Sequence, residues 1–292
     1  MYTLLFFVLS LLFTGYSQDC ECAEPEVAPA GPWTHQLSAG LYVNQAKTSS
    51  NWHTGPSDMW SWLTRVDAKT QFENTEYIWF WKADLEYGKS KSNKNPMIKF
   101  SDKIFTETVG SKKLVYKMNT YTGLKFESQF DSGVGEYIDK DGKTIVNTKI
   151  SNFLNPGYVT HSIGLGYNPS DLFSQRVGYA TKLTVATAHK RRFADDTKTS
   201  RIETIRWEPG IESISEFNYT FNEMANFKSA FRLFYNFEGA IETDLSWDNT
   251  LTASVTSYLE MSLAYALLYD IDLDSSYQRN QSMSLGLTWN LF

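Results

Sequence analysis

The stretch Tyr77-Ile78-Trp79-Phe80-Trp81-Lys82-Ala83-Asp84-Leu85-Glu86-Tyr87-Gly88 decides the fold. Its odd positions carry Tyr77, Trp79, Trp81, Ala83, Leu85 and Tyr87, and its even positions carry Ile78, Phe80, Lys82, Asp84 and Glu86. Successive side chains of a strand point to opposite faces, so this period of two builds one apolar face and one charged face. The preceding segment behaves alike: Trp60, Trp62, Thr64, Val66, Ala68, Thr70 and Phe72 share one face, and Leu63, Arg65, Asp67, Lys69 and Gln71 share the other. The two segments are expected to form a hairpin through Glu73-Asn74-Thr75-Glu76. With Phe72 opposite Tyr77, Asp67 faces Lys82, Arg65 faces Asp84, Ala68 faces Trp81 and Thr70 faces Trp79. Opposite charges directly across an antiparallel pair stabilise it by roughly 0.2–1 kcal/mol each. A slip of one residue would turn the charges onto the apolar face.

The same alternation recurs along the chain. It predicts strands over His35–Asn44, Leu114–Phe130, Tyr158–Asn168, Phe173–Thr187, Ile211–Phe221, Phe227–Phe237, Leu245–Thr256, Leu259–Asp270 and Gln281–Phe292. With the first hairpin that makes an odd set, whereas bacterial membrane barrels nearly always have an even number. Connections at 73–76, 169–172, 222–225 and 257–258 are short, and those at 46–58, 89–100, 188–202, 238–243 and 271–280 are longer and polar. Short and long alternate only if one more strand lies between Gly88 and Phe153. Ser101–Val109 is the best candidate, with Gly110-Ser111-Lys112 as its turn. The expected fold is an all-β, antiparallel, up-and-down transmembrane barrel of about twelve strands, with both ends of the chain on the periplasmic side and the long loops outside.

A soluble barrel also alternates, so composition has to choose. Aromatic residues make up 15% of the chain and charged residues 21%. Mean hydropathy is only -0.37, which excludes a helical membrane bundle. A chain rich in Trp and Tyr but low in mean hydropathy suits a barrel that meets lipid on one face and water on the other. The aromatics Trp60, Trp62, Tyr77, Trp79, Trp81, Tyr87, Tyr235, Trp247 and Trp289 fall on the apolar face, several of them toward strand ends, as an interface girdle does. The last strand carries Met283, Leu285, Leu287, Trp289 and Leu291 on its apolar face and ends on Phe292, a signal of the kind read by the barrel-assembly machinery, although the apolar series falls on Leu291. The net charge of -6 argues against a nucleic-acid partner, because no basic excess is present to neutralise phosphates.

Leu4–Phe13 is an apolar run followed by Gly15-Tyr16-Ser17, which reads as a signal peptide over residues 1–17. It is too short for a spanning helix, which needs about 20 apolar residues. Residues 18–32 read as a flexible periplasmic tail and 33–292 as the barrel. Cys20 and Cys22 lie in that tail with no further ligands around them, so neither a metal site nor a disulfide scaffold is expected.

Ser151-Asn152-Phe153-Leu154-Asn155-Pro156-Gly157-Tyr158, then Gly164-Leu165-Gly166-Tyr167-Asn168-Pro169, resembles a family signature. Leu268-Tyr269-Asp270 with Gly286-Leu287-Thr288-Trp289, and Ser50-Asn51-Trp52, resemble further parts of it. The sequence is similar over residues 33–292 to a family of Bacteroidota outer-membrane β-barrels of unknown function. The resemblance implies fold and location in a Gram-negative outer membrane, with lipid and lipopolysaccharide as surroundings. It implies no catalytic residues.

The residues themselves offer little enzymatic chemistry. The histidines are His35, His53, His161 and His189. His161-Ser162 is the only adjacent His–Ser pair, and neighbours on a strand point to opposite faces. No nucleophile elbow, zinc motif or phosphate loop is present. Asp270, Asp272 and Asp274 alternate but lack the glycine and distal glutamate of a calcium hand. His189-Lys190-Arg191-Arg192 could meet lipopolysaccharide phosphates or stay solvated. No cofactor or metal is expected, and no enzyme activity.

The functional residues expected are the inward charges: Arg65, Asp67, Lys82, Asp84, Glu86, Lys125, Glu127, Arg176, Lys182, Glu212, Glu216, Lys228, Arg232, Asp244, Asp248 and Glu260. They either line an aqueous path and set its selectivity, or pair into a ladder that fills a narrow lumen. Interleaved signs favour the filled lumen. The leading reading is a narrow, porin-like pore for small solutes. The alternatives are a docking barrel that binds partners through its outer loops or tail and, less favoured, a membrane-embedded lipid-modifying enzyme.

Overall fold

The computed structural model describes residues 32–46, 59–92, 97–138, 144–149, 151–195, 201–237, 243–270 and 274–291. The signal, the tail with Cys20 and Cys22, Ser50-Asn51-Trp52, His53, Asp272 and Phe292 lie outside them.

The barrel strands are β1 (Trp33–Ala46), β2 (Met59–Glu73), β3 (Tyr77–Ser92), β4 (Ile98–Lys113), β5 (Met118–Ser128), β8 (Gly157–Ser170), β9 (Phe173–Val185), β10 (Ile205–Asn222), β11 (Ala225–Asn236), β12 (Thr243–Ser254), β13 (Leu259–Asp270) and β14 (Asp274–Asn290). They close into one ring in chain order, all antiparallel, with β1 against β14. Two short strands, β6 (Val134–Ile138) and β7 (Thr144–Lys149), form a separate hairpin in the connection between β5 and β8. The alternation does not foresee this hairpin. A four-residue helix, α1 (Lys190–Phe193), sits in the connection between β9 and β10.

The two faces differ as the alternation requires. On β8, Ile163, Leu165 and Tyr167 are 55%, 50% and 45% exposed, while Ser162, one position before them, is 4% exposed. On β9, Val177 and Tyr179 are exposed and Arg176 and Ala180 are buried. A monomeric soluble protein rarely shows a contiguous apolar patch larger than a few hundred Å². Here exposed Leu, Val, Ile, Phe, Tyr and Trp recur on strand after strand from β1 to β14. A closed ring leaves no unpaired edge in lipid, so such a barrel spans a membrane with its polar face inside.

Two details of the strands differ from expectation. The extra strand is β4, and it runs through Gly110, Ser111 and Lys112; its turn is Leu114–Lys117 instead. There Tyr116 and Lys117 have φ of 57° and 63°, and the Met118 N–H donates to Val115 O at 3.2 Å. Left-handed backbone at both central positions is what a type I′ hairpin turn requires, and it comes here without the usual Asn or Gly. The polar stretch 274–280, expected as loop, continues β14.

The register of the first hairpin is also corrected. Asp67 does not face Lys82. It faces Asp84, while Lys69 faces Lys82, Arg65 faces Glu86, Ala68 faces Ala83, Thr70 faces Trp81 and Phe72 faces Trp79. The cause lies in the turn. Asn74 Oδ1 accepts the N–H of Glu76 at 2.9 Å and of Tyr77 at 2.7 Å, and the Asn74 N–H donates to Tyr77 O at 3.0 Å. This side-chain turn shrinks the loop to Thr75-Glu76 and moves the register by two residues. An even shift keeps every side chain on its face, so the apolar and charged faces survive it. It does place like charges opposite each other, and these find their partners elsewhere.

Candidate functional site

Those partners come from across the lumen. Lys82 Nζ lies 3.0 Å from Glu107 Oε2 on β4 and 2.8 Å from Glu216 Oε1 on β10. β3 and β10 stand far apart in the ring, so this side chain bridges the interior. Arg176 on β9 donates from Nη2 to Glu107 Oε1 at 2.8 Å, and its guanidinium lies 5.6 Å from the ring centres of both Phe80 and Tyr121. Lys125 donates to Glu212 at 3.1 Å and lies 3.5 Å from Glu127. Arg232 pairs with Asp248 at 2.9 Å and sits 5.7 Å from the Phe105 ring. Lys82 thus links β3, β4 and β10 across the barrel at this height. A buried charge is tolerated only where partners and further hydrogen bonds replace water, and Glu107 has both Lys82 and Arg176.

A second group lies by the β1–β14 seam. The Tyr42 hydroxyl donates to Glu260 Oε1 at 2.8 Å, and Arg65 stands 5.5 Å over the Tyr42 ring. Arg65 also pairs with Glu86 at 2.8 Å, and Ser101 donates to the same carboxylate. The Tyr42 ring lies against bare backbone: a Cβ added at Gly286 would stand 2.3 Å from Tyr42 Cδ1 and 2.6 Å from Leu41 O. Asp84 meets Lys103 at 3.8 Å, while Asp67 and Lys228 remain exposed.

The half of the barrel toward the long connections holds a cavity of about 420 Å³. Its charged lining includes Lys125, Glu127, Glu212, Lys182, Asp244 and Arg232, and its apolar lining includes Phe193, Phe234, Leu245 and Leu268. Lys182 bonds Asp244 at 2.5 Å and Glu208 at 3.4 Å. Asn236 donates to Glu208 at 3.1 Å.

Two connections frame this cavity. Phe193 of α1 is buried with Ala186 and Ala194. The Ser151–Tyr158 stretch contributes Ser151, Pro156 and Tyr158 to the wall. Gln129 Nε2 donates to the carbonyls of Asn152 at 3.2 Å and Asn155 at 3.0 Å. In the amide orientation that satisfies every neighbour, Asn155 accepts from the Thr187 hydroxyl at 2.6 Å and donates to Ala188 O at 2.8 Å. The signature read in the sequence therefore ties the β5–β8 connection to the β9–β10 connection.

At the rim on the side of the long connections, the Tyr87 hydroxyl donates to Asp131 Oδ2 at 2.7 Å, Lys89 lies 3.0 Å from the same oxygen, and the Ser132 N–H donates to Oδ1 at 2.7 Å. The Tyr87 hydroxyl, then Lys89 and the Ser132 N–H, hold the Asp131 carboxyl below the usual carboxylate range. Tyr87 also packs edge-on against Trp62 at 5.6 Å. Of the other aromatics expected in a girdle, Trp60, Tyr77, Trp81, Tyr235, Trp247 and Trp289 are exposed and Trp79 is half-buried.

His161 and Ser162 stand on opposite faces, one exposed and one buried, and His161 Nε2 lies 3.2 Å from Thr122 Oγ1. His35 contacts Thr70 Oγ1 at 3.2 Å, and His189 precedes α1. The sequence reading missed Glu107 and Glu208, the carboxylates that hold Lys82, Arg176 and Lys182. Glu107 lies within the expected strand Ser101–Val109 but was not among the expected inward charges, and Glu208 lies before the expected start of β10 at Ile211. It also missed Tyr42, which stands on the face of its strand opposite Leu41 and Val43 but carries no charge to mark it as a partner of Glu260.

The chain is similar in fold to several solved barrels. The translocator domain of the autotransporter NalP from Neisseria meningitidis aligns at 9% identity over 90% of each chain, with a TM-score of 0.36. The NanC porin aligns at 11% identity over 88% of this chain and 100% of its own, with a TM-score of 0.42. The toluene transporter TbuX of Ralstonia pickettii aligns at 8% identity over 88% of each chain, with a TM-score of 0.32. No curated protein matches the chain. Residues 43–134, under a third of the chain, match the family described as "Protein of unknown function (DUF3078)".

Proposed function

We propose that the protein is a narrow, porin-like channel for small polar solutes in the outer membrane of a Gram-negative bacterium of Bacteroidota type. One observation carries the reading: the interior holds a cavity of about 420 Å³ that shares Lys125, Glu212 and Arg232 with the ionic layer. A solute entering from the long-connection end reaches the cavity first and must pass that layer next. The ends of the barrel chain face the periplasm, the apolar band meets lipid and lipopolysaccharide, and insertion falls to the barrel-assembly machinery. The role is transport, not catalysis.

Single-channel recording in a planar bilayer tests this. The refolded protein should give small, discrete openings. The double variant Lys82→Ala/Glu216→Ala removes a side-chain bridge across the lumen and should conduct several-fold more. If both proteins fold and both stay silent, the channel reading fails.

A further inference from the structure

We propose that the cavity is a selective site for small organic molecules that carry an ammonium group on an apolar body. This rests on the channel reading for its access route, but not for its chemistry. Three bases line the cavity, Lys125, Lys182 and Arg232, with the acids Glu127, Glu212 and Asp244, while Asp102 at its edge is held by Lys99 at 2.6 Å. The bases are already committed. Lys125 lies 3.1 Å from Glu212 and only 3.5 Å from Glu127, and Lys182 lies 2.5 Å from Asp244 while also serving Glu208 at 3.4 Å. Arg232 is held at 2.9 Å by Asp248. Glu127 is thus the carboxylate whose charge is matched at the longer distance, and its side chain keeps 40% of its exposure.

An arriving anion would find Lys125, Lys182 and Arg232 already engaged by carboxylates and the Glu127 carboxylate beside it. An arriving ammonium would find the Glu127 carboxylate, which shares Lys125 with Glu212, inside low-dielectric walls that strengthen the attraction. The remaining wall selects the rest of the molecule. Phe193, Phe234, Leu245 and Leu268 offer an apolar surface beside the charges. Pockets of roughly 300–1,000 Å³ with apolar walls and a few polar groups suit small organic ligands, and a volume of about 420 Å³ lies at the small end of that range.

Calorimetric titration of the detergent-solubilised full barrel tests the inference without any conduction. Three probes share one apolar body: phenethylamine, phenylalanine and phenylpropionate. The expected order of affinity follows their charge, with the amine at least tenfold tighter than the carboxylate. Glu127→Gln should weaken the amine about fivefold and leave phenylpropionate unchanged or slightly improved. Phe193→Ala should weaken all three alike. Equal binding of amine and carboxylate, tighter binding of the carboxylate, or no binding of any probe overturns the proposal. Ordered binding to a barrel that is silent in the bilayer upholds the site and overturns only the channel.

Discussion

Lys82 and Glu216, 134 positions apart in the chain, meet across the barrel interior at 2.8 Å. Lys82 has left its hairpin partner, Lys69, and spans the lumen to reach an acid. Removing Lys82 alone leaves Glu216 without that cation, whereas removing both leaves only Glu107 to lose a partner, and Glu107 keeps Arg176. Lys82→Met should therefore destabilise the barrel by about 3 kcal/mol, whereas Lys82→Met with Glu216→Leu should cost far less. Urea unfolding in detergent, read by tryptophan fluorescence, gives both values.

The hairpin register is open to a chemical check. Directly opposed positions lie about 4.5–5.5 Å apart at Cα, within disulfide reach, while diagonal ones are about 7–8 Å apart at Cα. Asp67→Cys with Asp84→Cys should cross-link under mild oxidation, and Asp67→Cys with Lys82→Cys should not. Non-reducing electrophoresis with thiol titration reads the result.

Tyr42 and Gly286 form a close fit at the seam. With Tyr42 Cδ1 only 2.3 Å from any added Cβ, Gly286→Ala must push the ring or the strand aside. Overpacking of this kind costs roughly 1–3 kcal/mol. Tyr42→Phe keeps the ring but leaves Glu260 without its donor, at a cost of about 1.5 kcal/mol. Both variants should show a lower thermal midpoint on electrophoretic mobility-shift gels.

Asp131 predicts a pH dependence. Its carboxyl titrates lower in the folded protein than in the unfolded chain. The stabilisation it gives is thus complete above the ordinary carboxylate range and fades as pH falls through that range toward the lower native value. Exchange of the Ser132 amide should be faster in Asp131→Asn than in the parent at neutral pH. The two should converge in strong acid.

Much of this molecule was legible from alternation alone, because a barrel wall repeats one rule on every strand. Ile163, Leu165 and Tyr167 on β8, or Arg176 and Lys182 on β9, read off their faces directly. Partners did not read off in the same way. Arg65 bonds Glu86 in place of Asp84 because Asn74 tightened a turn, a two-residue effect that leaves the hydrophobic pattern untouched. The Lys82–Glu216 contact depends on ring closure, which no local pattern records. β10 was drawn to start at Ile211 and so lost Glu208; Pro209, which cannot donate to the ladder, makes that stretch look like loop. It stands in the strand all the same, opposite Thr181. β6 and β7 pair only with each other and leave no trace in the barrel's alternation.

The seam between β1 and β14 has a kinetic meaning. It carries five residue pairs, Ser38–Tyr42 against Gly286–Asn290, whereas β1 and β2 share fourteen, Trp33–Ala46 against Met59–Phe72. Every other junction in the ring joins strands that follow one another around it, so each can zip onto its predecessor. The seam must instead gather two ends separated by nearly the whole chain, and contacts of such separation form late. Ring closure is then the final event of assembly and the first to reverse on heating. Tyr42, seated over Gly286, is the latch that decides when an open curved sheet becomes a tube.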